Sequence, residues 1–270
     1  MIYLLELSDT QLSKVIDLVH LHTGITIAPS KKNMVQGRIR RRLKDLGLED
    51  YDDYLLHLET NENEKQEFIN IITTNETSFF RTKKVWDYFQ LEYLKNWNSS
   101  GPLKIWSAAA STGEESYSIA MSCEERKKIG INLNYEIIGT DISTKALSIG
   151  EGAEYSGRNF KNMKEKFPEL VVKYFNITGD KGEIKPYLRK NIKYFSYNLF
   201  EPPKSPLDNF DIVFLRNVLI YFKKEDQKKV IANVAKTMKE GGVLILGESE
   251  SINGLSNEFK FISPQIYMKK

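Results

Sequence analysis

From Pro102 onward, short apolar runs alternate with amphipathic stretches, and that alternation constrains the fold more than any other feature of these 270 residues. Residues 103–109, 135–140, 192–196, 211–215 and 243–246 read as strands. Residues 114–128, 144–151 and 223–238 read as helices, the last stopped by Lys239-Glu240-Gly241-Gly242. Runs too short to be helices, separated by segments long enough to be, describe a parallel sheet with helices on both faces. The pattern turns irregular between 153 and 190, where a Lys-rich helix at 160–167 and a hairpin around Gly179 and Gly182 suggest an insert.

The first 72 residues have a different texture. Ser8-Asp9 can cap a helix whose apolar positions Leu12, Val15, Ile16 and Val19 follow a 3.6-residue period, with Gly24 as its stop. A second helix is expected over 31–46, with Met34, Ile39 and Leu43 inward and Gly47 ending it. Shorter helices follow at 51–59 and 64–72, another amphipathic one lies between Trp86 and Trp97, and 98–102 is a turn. The chain thus divides into a helical domain (1–72), a linker and helix (73–98) and an α/β domain (99–270) with an insert at about 153–190. The absence of long apolar runs argues against a membrane span, and the apolar stretch at the N-terminus stops at Glu6 without a basic leader. One cysteine, Cys123, and three histidines within the first 60 residues give no zinc cluster, so no metal is expected. A net charge of +3 is small for a general nucleic-acid binder. These absences point to the cytoplasm.

The chemistry gathers at the strand ends. The first strand runs into Ser107-Ala-Ala-Ala-Ser-Thr-Gly113-Glu114-Glu115. In open α/β sheets the ligand lies beyond the carboxyl ends of the strands, and small residues there let it approach the backbone. Two glutamates at the following helix start would repel a pyrophosphate and suit a cationic or hydroxyl-bearing ligand; they could also simply stabilise the helix end. The second strand ends in Gly139-Thr140-Asp141, where a carboxylate has two oxygens to match a vicinal diol. Together these describe a nucleoside site without phosphates, and S-adenosylmethionine is a ligand of that kind. Asn198-Leu199 and Arg216-Asn217 follow later strands, with Tyr221 one turn beyond Asn217. An Arg directly after an apolar strand is costly unless it has a partner. The segment Thr73-Thr-Asn75-Glu76-Thr77-Ser78-Phe79-Phe80-Arg81 joins the two domains.

Five collinear motifs resemble the CheR-type chemotaxis receptor methyltransferases: Asn75-Glu-Thr-Ser-Phe-Phe-Arg81, Ile105-Trp-Ser-Ala-Ala-Ala-Ser-Thr-Gly-Glu-Glu-Ser-Tyr-Ser-Ile-Ala120, Gly139-Thr-Asp-Ile-Ser143, Phe210-Asp-Ile-Val-Phe-Leu-Arg-Asn-Val-Leu-Ile-Tyr-Phe222 and Gly247-Glu-Ser-Glu250. They span essentially the whole chain in family order. Two departures stand out: Ser116 where the family usually has Pro, and Glu248 where it usually has His. The resemblance implies an α/β fold, with an N-terminal all-helical domain and a Rossmann-like S-adenosylmethionine-dependent methyltransferase sheet carrying a small β-subdomain. It implies methyl transfer from S-adenosylmethionine, with S-adenosylhomocysteine as product, to glutamate carboxylates of chemoreceptor cytoplasmic helices. By motif match, cofactor contacts fall on Asn75, Thr77, Arg81, Glu115, Asp141, Asn198, Leu199, Arg216 and Asn217, with Glu114 open as an alternative to Glu115.

A glutamate acceptor is already ionised at neutral pH, so positioning replaces a general base. Arg81 and Tyr221 are the candidates beside the transfer point. Arg38, Arg41 and Arg42 share one side of the second helix, since i, i+3 and i+4 are neighbours, and would dock an acidic receptor helix. No nucleic-acid partner and no direct membrane insertion are expected. The competing readings are a methyltransferase for another protein or for nucleic acid, using the bases 31–44, and a cofactor-binding signalling module without activity.

Overall fold

A computed structural model describes residues 5–99 and 101–270. Met1 to Leu4, at the start of the expected leaderless N-terminus, and Ser100, within the expected turn 98–102, lie outside the described residues. Four helices come first: α1 Asp9–Thr23, α2 Lys32–Leu46, α3 Tyr51–Thr60 and α4 Glu62–Ile72. Ser8 caps α1 through a reciprocal capping box with Gln11, and Gly24 ends it at φ 73°. Leu12, Val15, Val19, Val35, Ile39, Leu43, Tyr54, Leu58 and Phe68 close a core of their own. In α2 it is Val35, with Ile39 and Leu43, that is buried, while Met34 is only partly so. The expected helix between Trp86 and Trp97 is broken up. α5 Lys83–Asp87 passes into a π-helical turn, Tyr88–Tyr93, and then a 3-10 turn, Leu94–Asn96.

The remainder is an α/β unit. Its elements are β1 Leu103–Ser107, α6 Glu114–Lys128, β2 Tyr135–Asp141, α7 Thr144–Gly152, β3 Glu154–Tyr155, α8 Gly157–Lys166, α9 Pro168–Tyr174, β4 Phe175–Thr178, β5 Lys181–Ile184, α10 Pro186–Arg189, β6 Ile192–Ser196, β7 Phe210–Leu215, α11 Lys224–Thr237, β8 Met238–Leu246, β9 Phe259–Ser263 and β10 Ile266–Lys269. The large sheet has the order β6-β2-β1-β7-β8-β10-β9. The five strands from β6 to β8 are parallel, and β10 and β9 close the sheet antiparallel. Strand order reverses beside β1, so the carboxyl ends of β1, β2 and β7 frame the crevice that such sheets use for ligands. The insert forms a second sheet, β3-β5-β4.

Two sequence expectations change. The segment Lys239-Glu240-Gly241-Gly242, read as a helix stop, belongs to β8, which begins at Met238; a register shift against β7 between Phe210 and Ile212 absorbs it. The hairpin β9–β10 was not anticipated.

Candidate active site

The helical unit, the linker and the carboxyl ends of β1, β2 and β7 enclose a cavity of about 550 Å³, within the roughly 300–1,000 Å³ usual for small-molecule sites. Asp141, the last residue of β2, lines it. Its Oδ2 accepts the Ser111 amide at 2.9 Å and its Oδ1 the Ser143 amide at 2.9 Å. A carboxylate offers about four acceptor positions, so acceptor capacity remains for a ligand. Burial raises the Asp141 pKa, opposed by the amides of Ser143, Ser111 and Ile142.

Glu115 also lines the cavity, from the first turn of α6. Ser107 Oγ donates to its Oε1 at 2.7 Å, and Arg216 Nη1 to its Oε2 at 2.9 Å. Burial pushes its carboxyl up, against the pull of Arg216 and Ser107. The Arg216 side chain, 2% exposed, has therefore found the partner that its place after an apolar strand demands. Its Nη2 donates to the Arg81 carbonyl at 2.6 Å, tying the linker to β7. Glu114 faces away from the cavity, accepting from Thr112 Oγ1 at 2.6 Å and Asn159 Nδ2 at 3.1 Å. Gly113 makes this turn possible at φ 91°: a Cβ there would meet Tyr194 Oη at 2.7 Å and Tyr155 Oη at 2.9 Å. Its missing side chain is thus used for packing within the protein.

Asn75, Thr77, Arg81, Asn217, Tyr221 and Arg38 complete the expected residues on the cavity wall. Asn198 and Leu199, expected beside the cofactor from their motif, are not among the residues lining this cavity. Asn198 Nδ2 donates to the His22 carbonyl at 3.1 Å, and Leu199 is buried in the core around Trp106 and Phe210. Their strand, β6, is at the sheet edge, and the chain beyond it folds back onto α11, where Asn233 Nδ2 donates to the carbonyls of Leu199 and Glu201.

The expected basic face of α2 is also divided. Arg42 gives Nε and Nη2 to the buried Glu64, at 2.9 and 2.6 Å, and Tyr54 Oη donates to the same carboxylate at 3.0 Å. Arg42 is an internal brace between α2 and α4 and is not free to dock a partner. Arg38 turns inward to the carbonyls of Ile72 and Thr73 and to Thr74 Oγ1, and Arg41 is exposed. Thr26 and Ile142 on the cavity wall, and Glu250 behind it, escaped the sequence reading. Thr26 follows a helix stop without any motif, whereas Glu250 sits in a recognised motif but had no assigned role.

The residues fit S-adenosylmethionine. The cavity is lined by the strand-end carboxylate of Asp141, with acceptor capacity spare for a ribose diol, and by the buried carboxylate of Glu115 in the first turn of α6. Among the described residues, Arg216 Nε is buried without a hydrogen-bond partner, on a side chain that lines the cavity. Sheet order and site together define an S-adenosylmethionine-dependent methyltransferase. Residues 75–268 match the family model "CheR methyltransferase, SAM binding domain", and residues 10–73 match "CheR methyltransferase, all-alpha domain". The chemotaxis protein methyltransferases of Salmonella typhimurium and Escherichia coli are each 33% identical over 97% of this chain, covering 91% and 92% of their own lengths. That of Borreliella burgdorferi is 31% identical over 98% of this chain and 96% of its own. The chain belongs to the CheR methyltransferase family, and its activity is S-adenosylmethionine-dependent methylation in chemotaxis. No described helix is long and apolar enough to cross a membrane.

Proposed function

We propose that the methyl acceptor is a glutamate side-chain carboxylate on a helical segment of a chemoreceptor. The observation that carries this reading is the divided chemistry of one cavity. Asp141 lines it from the end of β2 and Glu115 from the start of α6, while Arg38 and Lys31 from the helical unit, Arg81 from the linker and Tyr221 bring groups that bind carboxylates. A glutamate, with an ordinary pKa of ~4.3, needs no base to become a nucleophile. None of the three histidines, His20, His22 and His57, lines the cavity.

Bound S-adenosylmethionine supplies an electrophilic methyl group on a sulfonium. Asp141 would hold the ribose, with Asn75, Thr77 and Asn217 as further polar contacts. Arg81 and Tyr221 would hold one carboxylate oxygen of the acceptor and leave the other free to attack. The acceptor oxygen would form the new C–O bond as the electrons of the broken C–S bond stayed on sulfur, and no proton would have to move. Positioning and exclusion of water then supply most of the rate. Arg38 and Lys31 at the cavity and the exposed Arg41 would draw in an acidic helix.

The test is transfer from methyl-labelled cofactor to a receptor cytoplasmic fragment. The expected product is a carboxyl ester, whose label mild base releases as methanol and whose formation is blocked by Glu→Gln changes at the acceptor positions. Base-stable label on another residue type would overturn the assignment.

A further inference from the structure

Behind the cavity wall, one carboxylate holds four backbone amides. Glu250, 6% exposed, accepts from Asn217 N at 2.7 Å and Gly247 N at 2.7 Å through Oε2. Through Oε1 it accepts from Val218 N and Leu219 N, both at 2.8 Å. All four acceptor positions are used, and each bond is charge-assisted.

The amides it collects are those that the local backbone leaves without partners. β7 ends at Leu215, Asn217 adopts a left-handed φ of 57°, and a 3-10 turn, Leu219–Tyr221, begins immediately after. The first N–H groups of such a turn have no acceptor within it, and a non-glycine residue in the left-handed region is held there at a cost. Gly247 lets the clamp close: a Cβ on it would lie 2.6 Å from Glu250 Oε2 and 2.8 Å from Asn217 N. The far end of the turn is fixed independently. Thr26 N donates to the Tyr221 carbonyl at 2.8 Å, and Gln227 Nε2 donates to the carbonyls of Leu219 and Phe222 at 3.0 and 3.1 Å. The segment between these anchors carries Asn217 and Tyr221, both on the cavity wall.

We propose that Glu250 is a positioning residue for the cofactor site: its carboxylate fixes the turn 216–221 so that Asn217 and Tyr221 face the cavity. This rests on the placement of S-adenosylmethionine in that cavity and is independent of the identity of the methyl acceptor. Glu250→Gln replaces one acceptor oxygen by an NH2 group facing amide donors, which opens the clamp at nearly constant volume.

The test is calorimetric binding of S-adenosylhomocysteine to the full chain, at a temperature where circular dichroism shows each variant folded. Glu250→Gln should weaken binding at least tenfold. In an Asn217→Ala background the same change should cost less than threefold in cofactor binding, because the cofactor contact it positions is already gone and Tyr221 serves the acceptor. Binding within twofold of the wild type alongside a lower Tm would make Glu250 a stabilising residue only and overturn the proposal. A cost in the Asn217→Ala background equal to that in the wild type would overturn it as well. If Glu250→Gln does not fold, Glu250→Asp, which keeps the charge but draws it back by one methylene, is held to the same thresholds. Failure of the wild-type protein to methylate a receptor, with these binding results intact, would count against the acceptor assignment and leave Glu250 untouched.

Discussion

Asp141 shows how much one side chain can decide in this site. It is placed by the end of a strand, held by two amides, and has acceptor positions left over. Asp141→Ala should weaken both S-adenosylmethionine and S-adenosylhomocysteine, since hydrogen bonds to a charged group contribute about 1.5–3 kcal/mol each. Calorimetry giving unchanged affinity in a folded variant would sink the ribose assignment. The raised pKa adds a pH dependence with a definite sign. The ionised carboxylate is the better acceptor, so affinity should hold at neutral pH and fall as pH drops through a value above the ordinary 3.8. Asp141→Asn should bind weakly with that dependence gone. Arg81 differs, because its guanidinium is only partly buried and donates to the Glu76 carbonyl at 3.1 Å. Arg81→Ala should lower turnover on the order of 10²-fold, the scale for misplacing a reacting group, with little change in Tm. Normal turnover with only a lower Tm would make it structural. Both residues were legible in the sequence because a strand end and a linker motif locate them. The packing of Asn198 and Leu199 could not be read from the motif, because it depends on which way the chain turns after an edge strand.

At the level of elements, α2 separates docking from bracing. Arg42→Ala would leave the Glu64 carboxylate buried without its guanidinium, and breaking such a pair from one side costs roughly 3–5 kcal/mol. Urea unfolding should show that loss, while the KM for receptor measured on the folded fraction should hardly move. Arg38 also braces, donating to the carbonyls of Ile72 and Thr73, so Arg38→Glu should lower Tm as well as raise the KM for receptor, the latter most at low salt. An unchanged KM at low salt would remove Arg38 from the docking surface. Sequence alone could not tell the two apart, because i and i+4 positions share a side of the helix whether that side meets solvent or α4. The helices themselves were legible wherever a 3.6-residue period ran between a cap and a glycine. β9 and β10 were missed for the converse reason: Phe261, Ile262 and Met268 remain exposed, so neither strand carries a clean inside-outside alternation. In β8, Gly241-Gly242 carries an ordinary helix-stop signal, and only pairing with β7 turns that stretch into strand.

The whole molecule works as one site because the helical unit and the sheet share the cavity and are latched beside it. Asn70 of α4 is the main latch. Its Oδ1 accepts from Ser143 Oγ at 3.1 Å, Thr144 Oγ1 at 3.3 Å and Lys145 N at 3.3 Å, and its Nδ2 donates to Thr144 Oγ1 at 3.1 Å. Those residues open α7, two to four positions beyond Asp141. Gln66 Nε2 adds a bond to the Ile142 carbonyl at 3.0 Å, and His20 Nε2 meets Asp226 Oδ2 at 3.0 Å on the other side. Ile25 packs against both cores, and Thr26 N and Asn198 Nδ2 add bonds to the Tyr221 and His22 carbonyls, so the α4–α7 seam is the largest of several ties between the units. Asn70→Ala removes the latch without touching the cavity wall and should split the calorimetric unfolding of the ligand-free protein into two transitions. Ligand bound across the seam should rejoin them: at 100 times its dissociation constant, S-adenosylhomocysteine favours the bound, united state by about 2.7 kcal/mol. A single transition for Asn70→Ala without ligand, at the wild-type Tm, would mean that the two units are held together by something other than α4 and α7.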